Sequence, residues 1–411
     1  MTWRPPPRPT WVIDQIEAAA VVGPLALHRL EPDELIATAV AVAGSDDFGP
    51  PSWRVGFDQL CTSLRDEADL HAVGAALARS EILRTLVNRL RIVAASDPGG
   101  TIVEPWFVVG SARSGTSILH ELLALDPARR APLAWETLDS VPAPRPGDTE
   151  TDPRVDRIDH EVRLWESICP EYLAMHENGA RLPQECIFLT SHEFASEHWS
   201  GVHDVPSYNK WLQAADLIPA YSWHHRHLRW LQSALPTERW VLKAPSHLSA
   251  LPALFAVYPD ATVIQTHRDP FETIPSTISL MATLRWMRSS RVDVPRLART
   301  MTKGVAVLFD WVDSMRQDGS LPDQQFVDVR YKDLVADPVE TIRSIYDRCG
   351  VDFTDSHRFA ITNYLDAKPK AKHGEHRYAL EQFELDAAEI RERYGRYCER
   401  HQVQLGEGAT T

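Results

Sequence analysis

Apolar and polar positions along this chain follow two regimes. From residue 11 to about 95 the apolar residues recur at helical spacing. The stretch 81–93 (E-I-L-R-T-L-V-N-R-L-R-I-V) is the clearest case, with Arg84, Arg89 and Arg91 between the apolar positions. Pro32-Asp33-Glu34 opens another helix, with proline in the first turn and acids at the positive end of the dipole. Residues 46–53 (D-D-F-G-P-P-S-W) read as a loop, residues 1–10 as a Pro-rich extended arm and 95–100 (A-S-D-P-G-G) as a linker. Beyond about 104 the pattern changes to short apolar runs, each followed by a helical period. Runs at 106–109, 239–244, 261–266 and 325–331 predict strands, and 132–136 predicts a short strand end with Glu136 near its tip. Residues 156–230 are mostly helical and rich in His and aromatic residues. Strands alternating with helices predict a parallel sheet with right-handed crossovers.

The first of these units carries the chemistry. Residues 106–125 read W-F-V-V-G-S-A-R-S-G-T-S-I-L-H-E-L-L-A-L: strand, small-residue loop, helix. A helix N-terminus behind such a loop is an anion site, because unpaired N–H groups and the positive dipole end point into it. Gly110 and Gly115 have the spacing of the nucleotide loop G-x-x-x-x-G-K-[ST], but Thr116 stands where the lysine belongs. That argues against ATP or GTP. The cation sits inside the loop, at Arg113, which suits a donor with one phosphate beside a transferable anionic group. In parallel sheets ligands gather at the carboxyl ends of strands, and those ends carry Arg113, Lys243, His247 and Arg268. The expected fold is therefore α/β: a P-loop-like parallel sheet flanked by helices over 104–402. A helical extension over 1–100 precedes it, a helical insertion at about 140–235 interrupts it, and a flexible tail at 403–411 follows.

Composition narrows the partners. The 411 residues carry a net charge of −14, which excludes a broad nucleic-acid surface. Five scattered cysteines without C-x-x-C spacing fit a reducing compartment and argue against a disulfide framework or zinc site. No H-E-x-x-H-like spacing appears among the histidines, so no metal is expected. No run approaches the ~18 apolar residues of a spanning helix. The reading is a cytoplasmic protein without a transmembrane segment, with peripheral membrane contact left open.

These residues resemble the PAPS-dependent sulfotransferases, in particular the bacterial branch with an R-S-G-T loop. Four motifs match in order across about 104–400, and the N-terminal helices are similar to those of actinobacterial members. The resemblance implies PAPS as co-substrate, PAP as product and no metal. It implies that Arg113 reaches the sulfuryl and phosphate oxygens, with Ser114, Gly115, Thr116 and Ser117 supplying N–H and hydroxyl donors. Arg268 and Ser276 reproduce the 3′-phosphate spacing, an Arg fork at a strand end and a Ser two helical turns on. By the same resemblance Lys243 stabilises the leaving bridging oxygen and His247 is the general base, with Glu136 a second base candidate. Tyr331, in R-Y-K-D-L, matches the tyrosine that meets the adenine. The family's closing R-K-G is not reproduced, and Lys372-His373-Gly374 is the candidate replacement. The implied function is sulfuryl transfer to the hydroxyl of a small-molecule, lipid or glycan acceptor. Trp199, Trp211, Tyr221 and Trp223 suggest a partly apolar acceptor pocket. The alternatives are a P-loop-type small-molecule kinase and a nucleotide-binding module without catalysis.

Overall fold

A computed structural model describes residues 3–95, 97, 99–237, 239–368 and 379–406. Five strands form one sheet: β1 (Trp106–Gly110), β2 (Arg129–Arg130), β3 (Arg239–Lys243), β4 (Thr262–His267) and β5 (Phe326–Arg330). Their order is β2-β3-β1-β4-β5, and every pairing is parallel. The apolar runs are continuous because helices cover both faces. Side chains alternate between the faces along each strand. On one face Trp106, Val108, Val241 and Ile264 pack under the helix Thr116–Leu123, which follows the loop, and the helix Pro338–Arg348. On the other, Phe107, Val109, Leu242 and Val263 join the largest core with the helices Leu251–Val257, Pro270–Trp286 and Val294–Gln317.

The short second strand is Arg129–Arg130, not 132–136. Glu136 lies on the following helix, Ala134–Leu138. The N-terminal helices form where the spacing placed them, including Pro32–Ala43 with Pro32, Asp33 and Glu34 in its first turn. They share one core with the insertion: Phe57, Leu60, Leu86 and Leu90 pack against Phe194, Trp199, Tyr208 and Leu212. Arg89 on the helix Ala72–Ala94 pairs with Glu193 of the insertion at 2.7 Å, both buried. The extension and the insertion are thus one helical layer. At the other end the chain stays packed beyond 403: Val403 and Leu405 join the main core, and the Gly406 N–H donates to Asp269 Oδ2 at 2.8 Å. No single helix among the described residues is long and apolar enough to cross a membrane, though the bent pair Thr10–Ala19 and Pro24–Ala43 passes on combined length and composition.

Candidate active site

The loop after β1 is shaped by two glycines. Gly110 has φ +146°, and a Cβ there would lie 2.3 Å from Thr266 Oγ1, so the strand approaches β4 too closely for a side chain. Gly115 caps the loop helix with φ +93°, a conformation L side chains rarely adopt, and the Tyr331 ring covers it. Between them Arg113 also takes the left-handed region, φ +69°, which aims its side chain out of the loop. Ser114 is buried. Its hydroxyl donates to the Ser111 carbonyl at 2.6 Å and sits 2.6 Å from Thr266 Oγ1. It braces the loop against β4 instead of facing a ligand. Thr116 is buried as well, so of the loop's hydroxyls it is that of Ser117 that lines the cleft.

Arg113, Arg268, Ser276 and Tyr331 come together beside this loop. Arg113 Nε donates to Ser276 Oγ at 3.1 Å, and its Nη1 to the Met175 carbonyl at 2.6 Å. Arg268 Nη1 donates to the Arg113 carbonyl at 2.8 Å, its Nε to Glu272 at 2.8 Å, and its guanidinium lies 4.0 Å over the Tyr331 ring. The two arginines therefore share one crevice although different crossover units carry them.

Next to the crevice a cleft of about 210 Å³ opens along the loop helix, between Arg113, Ser117 and Lys243 on one side and Met175, His176 and Glu185 on the other. Lys243 Nζ donates to Ser117 Oγ at 3.1 Å and is ion-paired with Glu185. Burial opposes the Glu185 charge, but Lys243 and His176 outweigh it and hold the carboxyl below the usual range. His176 is driven down to about 4 by burial. At the far side Lys368 bridges Glu121 at 2.8 Å and Glu177 at 2.7 Å; burial works against its charge, yet those bonds raise its pKa.

Several expected residues lie elsewhere. The single turn Pro245–Ala250 carries His247 to the face opposite Lys243, edge-on to Phe107 at 4.9 Å, its Nδ1 2.6 Å from the Tyr221 hydroxyl. Burial pushes it down to about 3, and it does not line the cleft. Glu136 is buried against Arg130 at 2.7 Å and accepts from the Leu133 N–H at 3.0 Å; it caps its own helix. Trp199, Tyr221 and Trp223 are core residues and Trp211 packs on the helical core, so the apolar pocket built from them is not there; the cleft is lined instead by charged side chains together with Ile118, Met175, Leu182 and Pro183. Lys372, His373 and Gly374 lie outside the described residues. Sequence reasoning missed Glu185. The Gln184-Glu185 step lies in the helical stretch rich in His and aromatic residues, with no spacing that ties it to Lys243.

A parallel sheet whose first loop carries an arginine, with a second arginine at the end of the neighbouring strand, is the arrangement the resemblance to sulfotransferases implies. The Sulfotransferase family profile matches residues 105–355, and the chain belongs to that family. It is 32% identical to sulfotransferase STF1 from Mycobacterium tuberculosis H37Rv, whose crystal structure superposes with a TM-score of 0.76 over 88% of this chain and 97% of that one. Sulfotransferase STF9 from Mycobacterium avium shares the fold, with a TM-score of 0.82 over 91% and 97% of the two chains at 24% identity. The omega-hydroxy-beta-dihydromenaquinone-9 sulfotransferase Stf3 of Mycobacterium bovis is 27% identical over 311 residues, 71% of this chain and 75% of that protein.

Proposed function

We propose that this enzyme moves a sulfuryl group from PAPS to the hydroxyl of a lipid-type alcohol, with Glu185 as general base. The observation that carries the reading is the Lys243–Glu185 ion pair, set in the cleft beside the crevice of Arg113 and Arg268. Arg268 and Ser276 would take the 3′-phosphate, Tyr331 the adenine, and the loop N–H groups with Arg113 the 5′-phosphosulfate. Lys243 then shifts toward the bridging oxygen, and Glu185 is released to accept the acceptor's proton. The acceptor oxygen bonds to sulfur as the bond from sulfur to the bridging oxygen breaks. The electron pair leaves on PAP, where Lys243 and Arg113 offset its charge. The lipid-type acceptor rests on the relative whose name states a hydroxylated menaquinone substrate.

Transfer from labelled PAPS to a panel of hydroxylated lipids and glycans tests the reading. Removing a general base costs on the order of 10²–10⁴ in rate, so Glu185→Gln is expected to lose that much kcat while PAP still binds. Retained turnover in Glu185→Gln overturns the base assignment. ATP–Mg binding tighter than PAP overturns the donor and favours the kinase alternative. Sulfation of glycans alone overturns the acceptor class.

A further inference from the structure

On the sheet face away from Lys243, three metal-ligating side chains from distant parts of the chain converge. Cys186 directly follows Glu185, His224 lies in the insertion helix Ile218–Ala234, and His247 sits in the turn after β3. The Cys186 Sγ and one ring nitrogen of each histidine lie within 4.8 Å of one another, and all three residues are buried. The Nδ1 atoms are already engaged: that of His224 lies 2.6 Å from the Tyr258 hydroxyl, that of His247 2.6 Å from the Tyr221 hydroxyl. Both Nε2 atoms are buried with no hydrogen-bond partner among the described residues. Other buried histidines also leave a ring nitrogen unmet, His203 both of its own, but among the described residues only this cluster sets a cysteine sulfur beside two such histidines.

We propose that Cys186, His224 and His247 form a binding site for a zinc-type divalent cation, separate from the transfer cleft. One thiolate and two imidazoles are a zinc donor set, with the fourth tetrahedral position left to a small ligand such as water. The tyrosines complete the arrangement. Each accepts an Nδ1–H, which fixes the tautomer with the Nε2 lone pair turned toward the ion. Metal–ligand bonds place the donor atoms of a tetrahedral zinc roughly 3.3–3.7 Å apart, so from separations within 4.8 Å loading draws these three together by at most about 1.5 Å. The Cys186 thiol gives its proton to solvent as the sulfur–metal bond forms. The Cys186 N–H donates to the Lys243 carbonyl at 2.8 Å. An ion here would tie the Glu185 loop, the insertion helix and the end of β3 into one support beneath the ion pair. A second cluster, His267, Asp328 and His401, is already closed, because Arg316 holds both Asp328 oxygens at 2.8 Å.

The test uses the full chain, reduced, stripped with chelator and titrated with cobalt(II), then zinc. The wild type is expected to bind cobalt stoichiometrically, with a thiolate-to-cobalt charge-transfer band that zinc abolishes. Cys186→Ser should lack the band, and zinc should raise Tm in the wild type only. No stoichiometric binding, binding without the thiolate band, or a band that survives in Cys186→Ser overturns the site. The wild-type spectrum decides even if the variant fails to fold. None of these readouts uses PAPS or an acceptor, so the result is independent of the transfer reading.

Discussion

Gly115 meets two demands that no other residue meets. Its backbone is left-handed, and an added Cβ would stand 2.6 Å from the Tyr331 ring. Gly115→Ala is expected to lower stability by about 1–3 kcal/mol and to weaken PAP binding, because the ring that covers the loop must move. Calorimetry of unfolding and of PAP titration reads both. Glu136 makes the opposite case. Its carboxylate holds Arg130 and a helix-starting N–H away from the cleft, so Glu136→Gln should lower Tm and leave PAP affinity and kcat near wild type. A large loss of kcat at unchanged Tm would show that the residue reaches the reacting atoms after all. These residues also show what single-chain reading reaches. That Arg113, Arg268 and Ser276 come together could be read from the chain, because each lies in the loop or first helical turns after its own strand, where spacing fixes direction. His247 lies outside the cleft because the turn Pro245–Ala250 carries it onto the other sheet face. The pairing of Glu185 with Lys243 has no sequence signal, because Glu185 enters from the insertion through a tertiary contact that leaves no local period.

At the scale of elements, periodicity located the strands and helices but not which polar residues between the apolar ones are inside. Arg89 stands among apolar positions of the helix Ala72–Ala94 as if facing solvent, yet it is fully buried. It donates to the carbonyls of Phe48, Pro50 and His192, pairs with Glu193, and lies 4.2 Å over the Trp223 ring. One side chain thus joins the N-terminal helices, the loop before Trp53 and the insertion that delivers Glu185. The same juncture packs the extension onto the rest of the chain: its core is completed by Phe194, Trp199 and Tyr208, which residues 1–100 alone do not supply. Removing one member of a buried ion pair leaves the other uncompensated, at a cost of about 3–5 kcal/mol. Arg89→Ala is expected to lose stability of that order in urea unfolding. If the extension and insertion are one layer, both should unfold in a single transition that moves as a whole. A transition that splits, with the sheet unaffected, would show them to be independent.

The whole molecule is acidic in net charge and carries many of its histidines inside. Burial pushes His120, His192 and His203 down to about 3, and His71 and His198 down to about 4. None of these belongs to the Cys186 cluster; among the described residues His71 and His192 each leave one buried ring nitrogen without a hydrogen-bond partner, and His203 leaves both. In the unfolded chain the same rings take up protons near pH 6.5. Their folded-state values are depressed, so their contribution to stability is complete above about pH 6.5. It is lost as pH falls from there toward the folded values near 3 to 4, since the unfolded state binds the protons first. Several rings act together, so the loss should be steep and should precede protonation of most carboxylates, which ordinarily begins near pH 4. Tm measured by circular dichroism from pH 8 to 4.5 is expected to hold down to about 6.5 and then fall sharply. Replacing His203 by Phe should flatten the fall, because an uncharged ring of similar shape takes up no proton in either state. A Tm that stays level down to pH 4.5 would mean that these imidazoles reach water or an acceptor in the folded protein.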